Sequence, residues 1–287
     1  MVSMQLELDL CQRWSLTGEQ RWQHPRYSVF TPGRYGVKVI DVKVARPFVV
    51  ACHYSHAWLA PKLCYGMFDL AEGAERLVGA AVLSIPVKAV AEKSFPGLVP
   101  FYESVELGRF VLLDAVPANG ESWFLAEVLR LAGQTGIRGI TSFADPVPRT
   151  TLATEGNPAE IIFGGHIGKV YGQCMNLPYT GTSGKSIKIL MPDGRIFNEQ
   201  ARSKLLGRRQ GWQYAAAFLQ SYGARELTPD EDTRAYLDEA LVKTQARRLK
   251  HSGCHRFHAI TGPTKRIRAA VKIGLPLLPA PRRLITA

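Results

Sequence analysis

A carboxylate closing a β-rich run is the first residue of this chain that could do chemistry. The run IRGITSFA ends at Asp145-Pro146. Ligands of open α/β sheets bind beyond the carboxyl ends of the strands. Asp145 is therefore placed to take a proton from an amine or to help hold a metal, although Asp-Pro alone is also an ordinary turn opening. Further on, Gly165-His166-x-Gly168-x-x-Tyr171 sets an imidazole near the start of a short helix and a phenol beyond it. Lone His and Tyr residues in such places are usually structural. The turn Val116-Pro117-Ala118-Asn119-Gly120-Glu121-Ser122 leads into a helix, whose unsatisfied N–H groups suit an anion. Gly120 allows close approach and Ser122 is a candidate N-cap, whereas Pro117 has no N–H to donate and Glu121 repels phosphate. Cys52-His53-Tyr54-Ser55-His56, followed by Trp58, Cys64 and Tyr65, gathers metal-capable side chains. The His53–His56 spacing fits no common zinc signature; an iron site of His, Tyr and Asp side chains is the alternative. Cys254-His255, flanked by His251 and His258, is a second gathering with the same ambiguity.

Regular elements must hold these residues in place. From Tyr35 the pattern reads as strand VKVIDVKV, a short helix starting near Pro47, strands LCYGMFDL and LVGAAVLSIP in a hairpin, and strand VELGRFVLLD. SWFLAEVLRLAGQTG has helical spacing and stops at glycines. IRGITSFA, the short helix HIGKVYGQCMN and the strand YTGTSGKSIKIL follow, and MPDGR is a turn. This order predicts an α/β fold: a mostly antiparallel sheet, flanked by helices, with a parallel helix-linked centre. Residues 199–248 read as helical, with a capping box at Thr228-Pro229-Asp230-Glu231. The expected division is an N-terminal arm at 1–34, a catalytic core at 35–198, and a helical, basic C-terminal extension at 199–287.

Composition narrows the partners. Among 287 residues, 36 Lys and Arg against 24 Asp and Glu give a net charge of +12, which favours a polyanionic partner, above all nucleic acid. From residue 240 onward there is no acid. Five scattered cysteines with no CxxC pair argue against a disulfide framework or a four-cysteine zinc site. The acidic start lacks the character of a signal peptide, and no run is long enough for a membrane span. The expected location is a reducing cytoplasm.

Taken together, His53 to Ser55, Glu106 to Phe110, Ser122 to Leu125, Ser142 to Pro146, Gly165 to Tyr171 and Leu177 to Arg195 resemble the Mom family of phage DNA-modification proteins. The resemblance covers roughly residues 35–275, with PRTTLATEGNPAEIIFG as an insertion between Asp145 and His166. It implies a GNAT-like acyltransferase fold and transfer of a methylcarbamoyl (acetamido-type) group to adenine N6 in double-stranded DNA, which protects DNA from restriction. On this resemblance Asp145 is the base and Tyr171 the acid or positioning group, with Ser122, His53 and Tyr54 as further catalytic candidates. Arg109, Gly120, His166 and Tyr65 would bind substrate or cofactor, and Tyr54, Trp58 or Tyr65 would stack on a flipped base. Lys185, Arg208, Arg209, Arg247, Arg248, Lys265 and Arg266 would hold phosphates. The donor of the carbonyl-bearing group is unknown. Pro117, standing where GNAT loops carry Arg or Gln, disfavours acyl-CoA; iron is an alternative cofactor, and the oligomeric state is open, a homodimer being one reading. The rival readings are a GNAT acetyltransferase of proteins or small amines, and a non-catalytic DNA-binding protein.

Overall fold

The computed structural model describes residues 29–281. Of the expected N-terminal arm, residues 1–28 lie outside the described residues, as do Arg282 and Arg283 of the basic tail. The chain forms two compact units. The first takes the chain through Pro146, then Gly165–Ser183, then the chain from Cys254 onward; the second takes Val147–Gly164 and Gly184–Gly253.

The first unit is built on strands β1 (Tyr35–Val39), β2 (Pro61–Asp69), β3 (Arg76–Ser84), β4 (Ser104–Leu112), β5 (Gly139–Ala144), β6 (Tyr179–Thr182) and β7 (His255–Ile260). Their order across the sheet is β1-β2-β3-β4-β5-β7-β6. All neighbours are antiparallel except β4 and β5, which run parallel and are joined through a helix. The fold class is thus the expected one, mixed α/β with a mostly antiparallel sheet. Helix α1 (Val42–Cys52) buries Ala45 and Val49, one turn apart, against Ala80, Val82 and Val111. Helix α3 (Gly120–Gln134), which follows the short α2 (Lys88–Ser94), buries Phe124, Leu125, Val128 and Ala132 with Val105, Leu107, Ile140 and Phe257. The alternating side chains of the central strands serve two separate cores, which is the two-sided burial expected of a helix-covered sheet.

Pairing between β4 and β5 runs from Ser104–Gly139 to Leu107–Ser142 and stops, although β4 continues to Leu112 and β5 to Ala144. The two strands therefore part, leaving an opening at the carboxyl end of β5. The β3–β4 register also shifts there: Leu83 faces Leu107 while Val82 faces Arg109, so Gly108 is an extra residue. Such a bulge re-aims the residues after it, Arg109 first.

The second unit pairs strand Ser186–Leu190 with Ile196–Phe197 on one side and Arg247–His251 on the other. Helices α4 (Glu199–Leu206), α5 (Trp212–Gln220) and α6 (Thr233–Lys243) pack on it through Leu205, Ala215, Ala216, Leu219, Tyr236 and Leu237. The segment between Asp145 and His166 belongs here: Arg149–Thr150 pairs with Ile161–Phe163, and Arg247 donates to the Thr150 carbonyl at 2.7 Å.

Several expectations are corrected. The helix expected near Pro47 begins at Val42, because the Asp41 side chain accepts the Lys43 N–H at 2.6 Å and caps it. Pro47 lies on its solvent side, where the carbonyl left without a donor can bond water. The run YTGTSGKSIKIL is two strands, one in each unit. α6 starts at Thr233 under Asp232; Glu231 instead closes the preceding turn by accepting from Thr228. The expected linear division at 198/199 does not match the units, since β7, within 199–287, lies between β5 and β6 of the main sheet.

Candidate active site at the parting of two strands

Asp145 follows directly on β5, and its carbonyl accepts the His166 N–H at 2.7 Å. That bond brings the Gly-His segment back beside the strand end across the excursion of 147–164. Gly168, at φ 75°, makes the next reversal, and its carbonyl accepts the Tyr171 N–H at 2.9 Å as a single π turn (Val170–Cys174) begins. Tyr171 is buried, with its ring 5.5 Å from that of Phe257. From the other side, the chain leaving α1 delivers His53 and Tyr54. Their rings lie 4.2 Å apart, and Tyr54 meets His166 edge-on at 5.8 Å.

The electrostatics tie these groups together. Burial, and secondarily the neighbouring Tyr54, push the Tyr171 phenol well above its ordinary range, so it stays protonated. Burial draws the Arg109 guanidinium down, against the opposing pull of Tyr54 and Glu106. Arg109 is fixed by donating Nε–H to the Ala57 carbonyl at 2.9 Å and Nη1–H to the Gly108 carbonyl at 2.6 Å. His53 is buried; its Nδ1 accepts the Ser55 N–H at 3.1 Å and lies 2.8 Å from Ser55 Oγ, so a ligand or metal would have to meet the other nitrogen.

His53, Arg109, His166 and Tyr171 thus meet around Tyr54, and the Asp145 backbone adjoins them through His166. Sequence reasoning missed a further member. Glu106, on β4 one residue before the strands part, has its carboxyl pushed up to about 6 by burial, with Arg109 opposing the shift. The signal that could have found it is a carboxylate inside the apolar run VELGRF.

Other expected site residues lie elsewhere. Tyr65 is fully buried in the main core, so it cannot stack on a base. Ser122 is not the N-cap of α3. Asn119 occupies that position in a left-handed conformation, and Ser122 Oγ donates back to the Asn119 carbonyl at 3.0 Å. Gly120 is buried and its N–H goes to the Pro117 carbonyl at 3.2 Å. Glu121, in the first turn of α3, is close enough to raise the pKa of Cys174, after burial and against Lys169. The helix start that could have held an anion is therefore part occupied and bears a carboxylate.

The expected phosphate-binding residues divide into two groups. Lys185, Arg209, Arg248, Lys265 and Arg266 are exposed. Arg208 instead donates to the Thr228 and Glu231 carbonyls, both at 2.9 Å, and lies over the Trp212 ring. Arg247 is bonded to Thr150. Both hold the second unit together. No helix among the described residues is long and apolar enough to cross a membrane.

Residues 34–151 match the model of the Mom protein family, so the resemblance read from the sequence is borne out over that stretch. No curated protein matches the chain. Among solved structures, a tandem GNAT protein from the clavulanic acid biosynthesis pathway aligns with a TM-score of 0.33 at 9% identity, covering 80% of this chain and 75% of that one. A candidate acetyltransferase from Pyrococcus horikoshii aligns with a TM-score of 0.33 at 10% identity, covering 90% and 99%. A candidate phosphinothricin N-acetyltransferase gives 0.26 and 13%, covering 44% and 94%. These alignments are shallow, and the mixed α/β class rests on the sheet itself, with its single parallel pair and helix-linked centre.

Proposed function

We propose that the chain is a DNA-modifying transferase that places a small carbonyl-bearing group, of methylcarbamoyl type, on N6 of adenine. The observation that carries this reading is the meeting of Tyr54, His166 and Tyr171 beside the end of β5, where β4 and β5 part and where Asp145 follows the strand. The Mom family match over the stretch containing His53, Tyr54, Arg109 and Asp145 supports it, and so does the net charge of +12.

The chemistry asks for such a site. The N6 lone pair is delocalised into the adenine ring, so attack needs removal of a proton and close positioning of the activated carbon. A bond forms between N6 and the carbonyl carbon, the bond from that carbon to its carrier breaks, and the N6 proton passes to Asp145. The Tyr171 phenol, kept protonated, is a hydrogen-bond donor to the developing charge or to the leaving group. Tyr54 and His166 present ring faces and edges to a base taken out of the helix. Arg109, fixed on its bulged strand, supplies positive charge that steadies an oxyanion. The carrier is not bound as CoA through the α3 start, where Pro117 has no N–H, the Gly120 N–H is taken by the Pro117 carbonyl, and Glu121 adds a negative charge. Exposed cations, Lys185, Arg209, Arg248, Lys265 and Arg266, hold the DNA backbone.

Mass spectrometry of nucleosides from the DNA of expressing cells tests the proposal. A modified deoxyadenosine is expected. A modified protein or small amine in its place would instead favour an acetyltransferase.

A further inference from the structure

Helices α4 and α5 of the second unit meet at a corner whose chemistry the catalytic site does not use. α5 buries Trp212 partly, and Ala215, Ala216 and Leu219 fully, on one face, at the i, i+3, i+4, i+7 spacing of an amphipathic helix. Tyr214 points the opposite way and is 84% exposed, more than any other large apolar side chain among the described residues. It flanks Gly211, which precedes α5 at φ 84°. A Cβ on Gly211 would lie 3.7 Å from both Tyr214 Cδ2 and Lys204 Nζ, so ring and ammonium border the same small recess. Arg209, two residues before Gly211, is exposed beside them.

Charge is segregated around this corner. No acid occurs between Glu199 and Glu226, while that stretch carries Arg202, Lys204, Arg208, Arg209 and Arg225. Arg202 is paired with Glu199, Arg225 with Glu231 and Glu239, and Arg208 is tied to two carbonyls. Among the described residues Lys204 and Arg209 have no acidic partner. Two uncompensated cations around an exposed, unstacked phenol ring match a nucleic-acid strand: phosphates for the cations and a base or sugar face for the ring. A second copy of the chain would bring like charge to like charge.

We propose that Lys204, Arg209 and Tyr214 form a DNA-contacting corner of the second unit, in which the two cations hold adjacent phosphates and Tyr214 stacks on a base or sugar of the same strand. This rests on the reading that the partner is DNA, but its test does not depend on catalysis. Binding of the full-length protein to a fluorescent mixed-sequence duplex is followed by anisotropy across a salt series, with poly-glutamate as a competing polyanion. Lys204→Gln/Arg209→Gln should lower the log–log salt slope by about 1.8, about 0.9 for each phosphate no longer neutralised. Tyr214→Ala should weaken binding about tenfold at fixed salt and leave the slope unchanged, and Tyr214→Phe should restore it. Circular dichroism identical to wild type confirms that the variants are folded.

Wild-type slope and affinity in all the variants, or no DNA binding by the wild type, overturns the proposal. Equal weakening towards DNA and poly-glutamate, with Tyr214→Ala silent, also overturns it, by reducing the corner to a generic anion surface. Modified adenine in cells together with an unaltered salt slope would sink this corner and leave the enzyme reading standing. Localised binding without modified adenine would do the reverse.

Discussion

Replacing Gly168 by alanine should damage both the fold and the site, by an amount that follows from the local geometry. Gly168 has φ 75°, and an alanine held there costs about 1–2 kcal/mol in backbone strain. Its Cβ would stand 2.6 Å from Phe257 Cε2, 3.0 Å from the Ala144 Cβ and 3.0 Å from Tyr171 Cδ2. Relieving an overpacked contact of this kind costs about a further 1–3 kcal/mol. The sum is about 2–5 kcal/mol, and relief must come from the end of β5, from β7 or from Tyr171, each of which borders the site. Gly136→Ala is the control: φ is 94° but nothing lies within 4 Å, so only the strain of about 1–2 kcal/mol remains. Urea unfolding, with midpoints compared at equal slope, reads both. Gly168→Ala should fall well below Gly136→Ala in stability, and its catalytic rate should drop with it. Equal destabilisation by the two would refute the packing argument for the Gly-His-x-Gly turn.

Glu106→Gln tests the buried carboxyl at the parting of the strands. The folded pKa of about 6 stands above its ordinary 4.5, so the wild-type contribution is full below 4.5 and is lost as pH rises through 6. Relative to wild type, the variant should therefore gain stability above pH 6, by about 2 kcal/mol for a shift of this size, and gain none below 4.5. Urea midpoints across that range check the sign. Acetyl-CoA should bind weakly or not at all, because the α3 start offers no open phosphate cradle; micromolar affinity by calorimetry would contradict this. Lys265→Gln/Arg266→Gln should flatten the salt dependence of DNA binding by about 1.8 in slope if both meet phosphates. Truncating the tail is no substitute, since it would remove β7 from between β5 and β6 of the main sheet.

Much of the first unit was readable because its strands and α3 show their periodicity openly, from Tyr35 to Tyr179. β7 was not. In HRFHAI only Phe257 and Ala259 mark an apolar face, and His258 is buried because Thr141 and Thr180 take up its two ring nitrogens, at 3.3 and 2.8 Å. Those partners lie on other strands, which a linear pattern cannot show. The same holds for the second unit, which is assembled from two separated stretches through contacts such as Arg247 to Thr150. Asp145, His166, Tyr171, His53, Tyr54 and Arg109 were identified by type and motif; the fold gathers the last five around Tyr54 and sets the Asp145 backbone beside His166. Tyr65 failed because both faces of β2 are covered there, burying Cys64, Tyr65, Gly66 and Met67 alike, and Ser122 failed because the left-handed Asn119 moved the cap back to that residue. Arg208 and Arg247 looked like surface cations, and only their long-range carbonyl partners reveal a structural role.

The most direct test of the proposed chemistry is nucleoside mass spectrometry on DNA from cells expressing either the wild type or Asp145→Ala. Asp145 lies past the last residue of β5, so its side chain can be truncated without cutting into the strand. Loss of a general base costs about 10² to 10⁴ in rate, enough to remove the product from a growing culture. Wild-type DNA should carry a modified deoxyadenosine and Asp145→Ala DNA should lack it, with both proteins soluble. Only the four ordinary nucleosides in the wild-type sample would contradict the assignment, and full modification in the variant would remove Asp145 from the reaction.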